Sequence, residues 1–238
     1  MITKDDLIAF EKEVAHRYEA GEIHAPIHLG SGNEDQLLEI FKSVSPDDWK
    51  LCTWRNHLHA LLSGISPDEL MRQILAGKSM SINSVEHRFY SSAIAGGILP
   101  VAVGLGMAIK RKDDRELTYH EWGKEQPPKD WSECLYIYRE GKAMWQEKGN
   151  LRHIWCFIGD MTARMGVFHE SVIYSRNFDL PVTFVIEDNG KSVLTDSKAT
   201  WGETANNRPA IWAWGNVERY EYQLSWPHHG TGKEQKAF

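Results

Sequence analysis

Two polar residues stand where two apolar runs stop. Ile154-Trp155-Cys156-Phe157-Ile158 closes on Gly159-Asp160, and Pro181-Val182-Thr183-Phe184-Val185-Ile186 closes on Glu187-Asp188-Asn189-Gly190. Asp160 and Asn189 are 29 residues apart. A carboxylate, an amide oxygen and a neighbouring main-chain carbonyl are hard oxygen donors of the kind Mg²⁺ takes, usually completed by phosphate oxygens. A diphosphate could then rest between a strand end and the first turn of the following helix, where free N–H groups favour anions. The same residues also make ordinary turns, since Gly, Asn and Asp dominate turns for backbone reasons. What favours a site is that each caps a run of its own within one repeat of strand, helix and strand.

Uninterrupted apolar runs of this length mark strands buried on both faces. Val167 to Asn177 reads as the helix that crosses between them. Such a unit belongs to an open parallel sheet, in which ligands bind outside the carboxyl ends of the strands. Upstream, Leu7, Phe10, Val14 and Tyr18 recur at helical spacing within Asp5–Tyr18. Gly21 to Gly32 is a Gly/Pro/His loop, and Asn33 is placed to cap a helix running through Phe41. Lys50 to Thr53 is a short strand that leads into Trp54-Arg55-Asn56-His57. Ser66-Pro67-Asp68-Glu69 opens a second capped helix, to about Ala76. Ala93 to Lys110 is rich in small residues that let a helix pack closely on other backbone. Asp113 to Trp131 reads as loop and Leu135 to Lys148 as helix. From about Gly202 apolar density falls, and Trp201, Trp212, Trp214 and Trp226 are interleaved in what reads as an irregular tail. The expected division is an α/β domain over 1–201 and a Trp-rich, interface-forming tail over 202–238.

Composition sets limits on partners. With 33 acidic and 27 basic residues in 238, the formal charge of −6 gives no support for nucleic acid, whose phosphates are met by a basic face. No run approaches the roughly 18 apolar residues that cross a bilayer, so no membrane partner is expected. The N-terminus has no apolar signal core. Cys52, Cys134 and Cys156 are far apart and odd in number, which fits a reducing compartment and a cytoplasmic protein. Ten Trp residues point to cores or subunit interfaces.

Gly159-Asp160-Met161, then Glu170, then Glu187-Asp188-Asn189, resembles the thiamine diphosphate motif of transketolase-like enzymes. The closest likeness is to the alpha subunit of the 2-oxo acid dehydrogenase decarboxylating component, of pyruvate and branched-chain types. It begins earlier in the chain. Ile27-His28-Leu29 to Gly32-Asn33-Glu34 is similar to the family's His-Leu…Gly-Gln-Glu segment. Trp54-Arg55-Asn56-His57 with Ser63-Gly64-Ile65-Ser66, and Phe89-Tyr90 with Ile94 to Gly97 and Pro100, resemble two further stretches in the family's order. The likeness runs from about Gly21 to Val193.

The resemblance implies a parallel sheet sandwiched by helices, in the transketolase-like diphosphate-binding fold, and an oxidoreductase subunit using thiamine diphosphate and Mg²⁺. Asp160 and Asn189 would ligate the metal, with the Lys191 carbonyl as third protein oxygen. Trp54 and Arg55 would reach the diphosphate, and Gly159, Met161 and Thr162 would meet it along the backbone. Ala93 and Ala95 would present main-chain groups to the aminopyrimidine ring. His28 and His57 would stand near the thiazolium as the catalytic pair. Arg55 could instead form a surface ion pair, His28 could be a capped loop histidine, and Glu170 could simply pair with a neighbouring base. The His228-His229 pair has no partner pattern and reads as disordered tail.

In this family the glutamate that activates the cofactor comes from a second, pyrimidine-binding domain, for which 238 residues leave no room. The resemblance therefore implies a beta-type subunit, an α₂β₂ heterotetramer and a 2-oxo acid substrate. The alternatives are the N-terminal half of a split transketolase acting on a ketose, and a non-catalytic relative that keeps the cofactor. Three departures bear on these. Met161 replaces the motif's last Gly, Asp188 replaces the first Asn of its final pair, and only about 45 residues follow the motif. The last sets contact with an acyl-carrier partner enzyme in question.

Overall fold

A computed structural model describes residues 2–116, 120–121, 134–139, 142–147, 152–193, 195–202 and 209–233, with side chains outside 112–151. In chain order the elements are α1 (Lys4–Glu19), α2 (Glu34–Ile40), β1 (Trp49–Cys52), α3 (His57–Leu62), α4 (Pro67–Gln73), β2 (Asn83–Ser84) and β3 (Phe89–Ser91). There follow α5 (Ile98–Glu116), β4 (His120–Glu121), β5 (Cys134–Arg139), β6 (Lys142–Glu147), β7 (Ile154–Gly159), α6 (Gly166–Asn177) and β8 (Val182–Asp188). The last are β9 (Lys191–Ser192), β10 (Thr195–Asp196), α7 (Ser197–Trp201) and β11 (Val217–Glu221).

Six strands form one sheet in the order β11-β8-β7-β1-β3-β2, parallel except for β2. Helices cover both faces, as the sequence implies. Leu7, Phe10 and Val14 of α1 pack with Leu37, Leu58, Leu61 and Leu70 onto Cys52, Phe157 and Val185. On the other face Ile98, Leu99 and Ala102 of α5 and Phe168 and Val172 of α6 pack onto Leu51, Cys156, Ile158, Phe184 and Ile186. The apolar runs of β7 and β8 are thus buried because both sides of the sheet are covered. Each fully buried Phe or Ile contributes about 1.5–3 kcal/mol.

Local signals explain the ends. Thr3 and Asp6 form a reciprocal capping box on α1. Ser66 accepts from the Glu69 amide, and Pro67 takes the first position of α4, as expected. A Cβ on Gly106 would lie 2.9 Å from Val182, so one of the small residues of α5 does permit close packing. Asn33 holds the cap position of α2 but makes no capping bond, because its side chain is used elsewhere.

Three expectations change. Leu135–Lys148 is not a helix within its described part: β5 and β6 pair antiparallel, from Cys134 opposite Glu147 to Arg139 opposite Lys142. Leu135-Tyr136-Ile137-Tyr138 is rich in the residues that favour strands. Asp113–Trp131, read as loop, holds the last turn of α5 and β4, its other residues lying outside the described set. The region read as an irregular tail supplies β11, which extends the parallel sheet beside β8. Among the described residues no helix is long and apolar enough to cross a membrane.

Candidate functional site

From β1 the chain moves to β3 on one side, and later places β7, β8 and β11 successively on the other. Strand order thus reverses between β1 and β7, and a crevice opens beyond the carboxyl ends of such neighbours. The crevice is lined by Thr53, Trp54 and Arg55 after β1, and by Gly159 to Thr162 at the end of β7. Glu187, Asn189 and Lys191 line it from β8 onward, and Tyr222 and His228 after β11. Eight of the residues singled out from the sequence meet here: Trp54, Arg55, Gly159, Asp160, Met161, Thr162, Asn189 and Lys191.

Asp160 is the centre of this group. It is 4% exposed, and its Oδ2 is buried with no hydrogen-bond partner. Burial pushes its carboxyl up to about 6, helped by the charge of Asp188 and opposed by the Ser197 hydroxyl and the backbone amides of Asp160 and Met161. An unpaired buried carboxylate oxygen is costly unless a cation meets it. Asn189 is half-buried; its Oδ1 accepts from the Lys191 amide at 3.0 Å, and its Nδ2 points at the Tyr222 hydroxyl at 3.4 Å. The amide oxygen keeps a second lone pair. Among the described residues no three His, Cys, Asp or Glu side chains converge on a metal position. A cation here would rest on one carboxylate, an amide and carbonyl oxygens, and phosphate, a donor set that suits Mg²⁺.

Arg55 donates through Nε to the Leu29 carbonyl at 3.0 Å and through Nη2 to the His228 carbonyl at 3.2 Å. Its bonds are thus to main-chain carbonyls, and the alternative of a surface ion pair is not what the described residues form. Met161 adopts φ −72°, ψ −32°, ordinary right-handed geometry, so its backbone has no need of glycine. Its Sδ receives the Trp201 indole N–H at 3.1 Å. Asp188 is neutralised by Arg219, whose guanidinium pairs with its Oδ2 while the Gly190 amide donates to Oδ1 at 2.9 Å. The extra charge beside the metal position thus has a counter-charge supplied by β11.

The other expected residues lie elsewhere. His57 is fully buried, with Nδ1 at Glu11 (3.1 Å) and Nε2 at the Ser79 hydroxyl (2.9 Å); it does not line the crevice. Ala93 and Ala95 are exposed in the turn before α5, and Glu170 is exposed on α6. His28 stands behind the lining, its ring 5.9 Å from Trp54 and 4.8 Å from His228. Its Nδ1 lies 2.7 Å from the His228 carbonyl, which can only accept, so that nitrogen carries the proton. Burial lowers its pKa to about 4 against the hydrogen bond to His228, and the charges of Arg55, His228 and His229 lower it further. The imidazole is therefore neutral at pH 7 with Nε2 as its base.

His228 and His229, read as disordered tail, are placed instead beside His28, their rings 4.8 and 5.7 Å from its ring, His228 half-buried and His229 exposed. The segment from Tyr222 to Gly230 is strapped across the loop before α2. Ser225 donates from its amide to the Ser31 hydroxyl at 3.1 Å, and Gly230 donates to the Ile27 carbonyl at 3.0 Å. Glu187, Tyr222, His228 and Arg219 are the site residues that the sequence reading missed. Burial, with the charge of Glu187, pushes the Tyr222 phenol up to about 12.

Residues 4–208 match the family described as Dehydrogenase E1 component. Similar proteins are named pyruvate dehydrogenase E1 component subunit alpha. That of Porphyra purpurea is 29% identical over 191 residues, covering 76% of this chain and 47% of the relative. A chloroplastic form from Arabidopsis thaliana is 25% identical over 218 residues, 87% of this chain and 42% of the relative. That of Zymomonas mobilis is 26% identical over 207 residues, 82% and 48% respectively. The chain spans less than half the length of these relatives.

Proposed function

Because this chain belongs to the dehydrogenase E1 component family, we propose that it is the alpha-type, diphosphate-binding subunit of a thiamine diphosphate- and Mg²⁺-dependent enzyme acting on a 2-oxo acid. The observation that carries this reading is the orphaned Asp160 carboxylate oxygen at the switch point between β1 and β7, in the crevice that Arg55 also lines. Asp160, Asn189 and the Lys191 carbonyl would hold the metal, which would supply positive charge for the diphosphate. Arg55 supplies N–H donors suited to phosphate oxygens. Trp54 and Thr162 enclose the diphosphate end, and His28 offers a neutral Nε2 behind them. Bound thiamine diphosphate supplies a thiazolium carbon that adds to a carbonyl and an electron sink for decarboxylation.

The activating glutamate comes from a beta-type subunit, in an α₂β₂ assembly, and the compartment is the cytoplasm. Two buried free thiols, Cys52 and Cys156, support a reducing environment. The Asp188–Arg219 pair cancels the charge that Asp188 adds where the motif has a neutral Asn, so that departure does not count against the metal reading.

Calorimetric titration with thiamine diphosphate and Mg²⁺ tests the binding half: the native chain binds and Asp160→Ala does not. Addition of a separately encoded beta-type chain then produces thiamine-dependent turnover of a 2-oxo acid. A folded mixture without such turnover refutes the catalytic half.

A further inference from the structure

Glu187 lies at the carboxyl end of β8 and lines the crevice, 7% exposed, where a carboxylate would repel a diphosphate unless a cation or a donor stands between them. Its two oxygens have different surroundings. Oε1 receives Asn33 Nδ2 at 3.2 Å, His59 Nε2 at 3.0 Å and the Tyr220 hydroxyl. Asn33 Nδ2 also donates to the Tyr220 oxygen at 3.0 Å. These donors come from the cap of α2, from α3 and from β11, so three separate elements fix one carboxylate. Since the carboxylate only accepts, His59 carries its proton on Nε2, and its Nδ1 is buried without a partner.

Oε2 accepts no hydrogen bond from the described residues, which leaves it as the oxygen available to the crevice. A charge held this rigidly and this deep needs a donor on its open side. Mg²⁺ dehydrates reluctantly and keeps several waters, whose polarised protons are such donors. We propose that Glu187 is a positioning residue of the metal site, its Oε2 accepting a hydrogen bond from a water of the Mg²⁺ held by Asp160 and Asn189. The proposal rests on the metal reading above. It gives the Asn33–His59–Tyr220 knot a purpose, since the knot sets the direction in which that water is held. Partners of this outer kind typically change metal affinity 10–100-fold without being ligands.

The test replaces Mg²⁺ by Mn²⁺ and follows its binding by electron paramagnetic resonance, with thiamine diphosphate present. The chains compared are native, Glu187→Gln, Tyr220→Phe and Asp160→Ala. In Glu187→Gln the amide keeps an acceptor oxygen for the three inner donors while turning its N–H₂ toward the water. This variant is expected to melt like the native chain without metal, to bind Mn²⁺ about 10–100-fold more weakly, and to alter the relaxation of water protons on the bound ion. Tyr220→Phe, which removes one of the three inner donors, lowers stability and weakens Mn²⁺ binding by less than Glu187→Gln does. Equal Mn²⁺ affinity for the native chain and Glu187→Gln overturns the role of Glu187 alone. A loss as deep as that of Asp160→Ala makes Glu187 a ligand and overturns the outer role. No Mn²⁺ binding by the native chain overturns both this proposal and the metal reading.

Discussion

Arg55 donates through Nη2 to the main-chain carbonyl of His228 at 3.2 Å, across 173 residues of sequence. The bond ties the loop after β1 to the segment that follows β11. The guanidinium that lines the proposed diphosphate position is thus also a clasp on the strap beside it. A guanidinium has five N–H donors in a fixed fork, so two bonds to carbonyls leave others for phosphate oxygens. One residue can serve both tasks only because its donors point in several directions.

Arg55→Lys keeps the charge and loses the fork. Affinity for thiamine diphosphate in the presence of Mg²⁺ is expected to fall about tenfold or more. Proteolysis within the 222–230 segment should accelerate at the same time, since one ammonium cannot hold the Leu29 and His228 carbonyls as the fork does. Calorimetry and limited proteolysis measure the two effects separately. Weaker affinity with unchanged proteolysis would mean that the clasp is idle.

His28 makes stability depend on pH in a stated direction. Its folded pKa is about 4, against an unfolded value of about 6.5. Between these values the unfolded chain binds a proton that the folded chain does not. The stability from a neutral His28 is therefore full above about pH 6.5 and is lost progressively as pH falls toward 4. His28→Gln, which can still donate to the His228 carbonyl, should show a shallower fall of Tm over that window. Parallel curves for the two chains would refute the assignment.

What could be read from the sequence follows from how local each signal is. β7 and β8 were legible because burial on both faces makes their central positions an unbroken apolar run, and the polar residues that end them sit at the sheet's edge. Met161 stands where the motif has its last Gly, and its φ of −72° makes no demand for glycine. β11 was hidden because among the described residues it pairs on one side only, and Val217-Glu218-Arg219-Tyr220-Glu221 is mostly charged and partly exposed. The Asp188–Arg219 pair spans 31 residues and two strands, so nothing near Asp188 announces its counter-charge. His57 shows the converse: an Arg-Asn-His motif drew attention to a side chain whose ring nitrogens are both spent on Glu11 and Ser79.

Asp160→Asn separates stability from binding. In the native chain without metal, Asp160 is ionised above about pH 6 at the expense of a buried, unpaired oxygen. Its raised pKa means that the folded state is destabilised above that pH, relative to a neutral isostere. The amide should raise stability by about 1 kcal/mol at pH 7.5 in chelator, a Tm gain of roughly 2–4 °C for a chain of this size. The same change removes the charged ligand, so the stabilisation that Mg²⁺ with thiamine diphosphate confers on the native chain should vanish. Thermal melts with and without the pair decide it, and an amide variant that melts lower in chelator would contradict the cost assigned to the carboxylate.

The strap is most directly probed at Gly32. Its φ is +82°, and a Cβ there would lie 2.0 Å from the Gln223 carbonyl oxygen, a main-chain atom that cannot swing aside. Gly21 has a similar φ of +78° with nothing within 4 Å of the same position. Gly21→Ala should therefore cost only the left-handed backbone strain, about 1 kcal/mol. Gly32→Ala should cost about 2–3 kcal/mol, because collision adds to strain. If the strap yields instead of the whole fold, the Gln223 segment moves off and the bonds from Ser225 to Ser31 and from His28 to His228 are lost with it. In that case Tm falls little, but His28 loses its cover and its pKa rises toward the ordinary value, which the histidine proton resonances report on titration. A Gly32→Ala chain matching Gly21→Ala in Tm, with the His28 titration unmoved, would show that the strap does not lie where the structure places it.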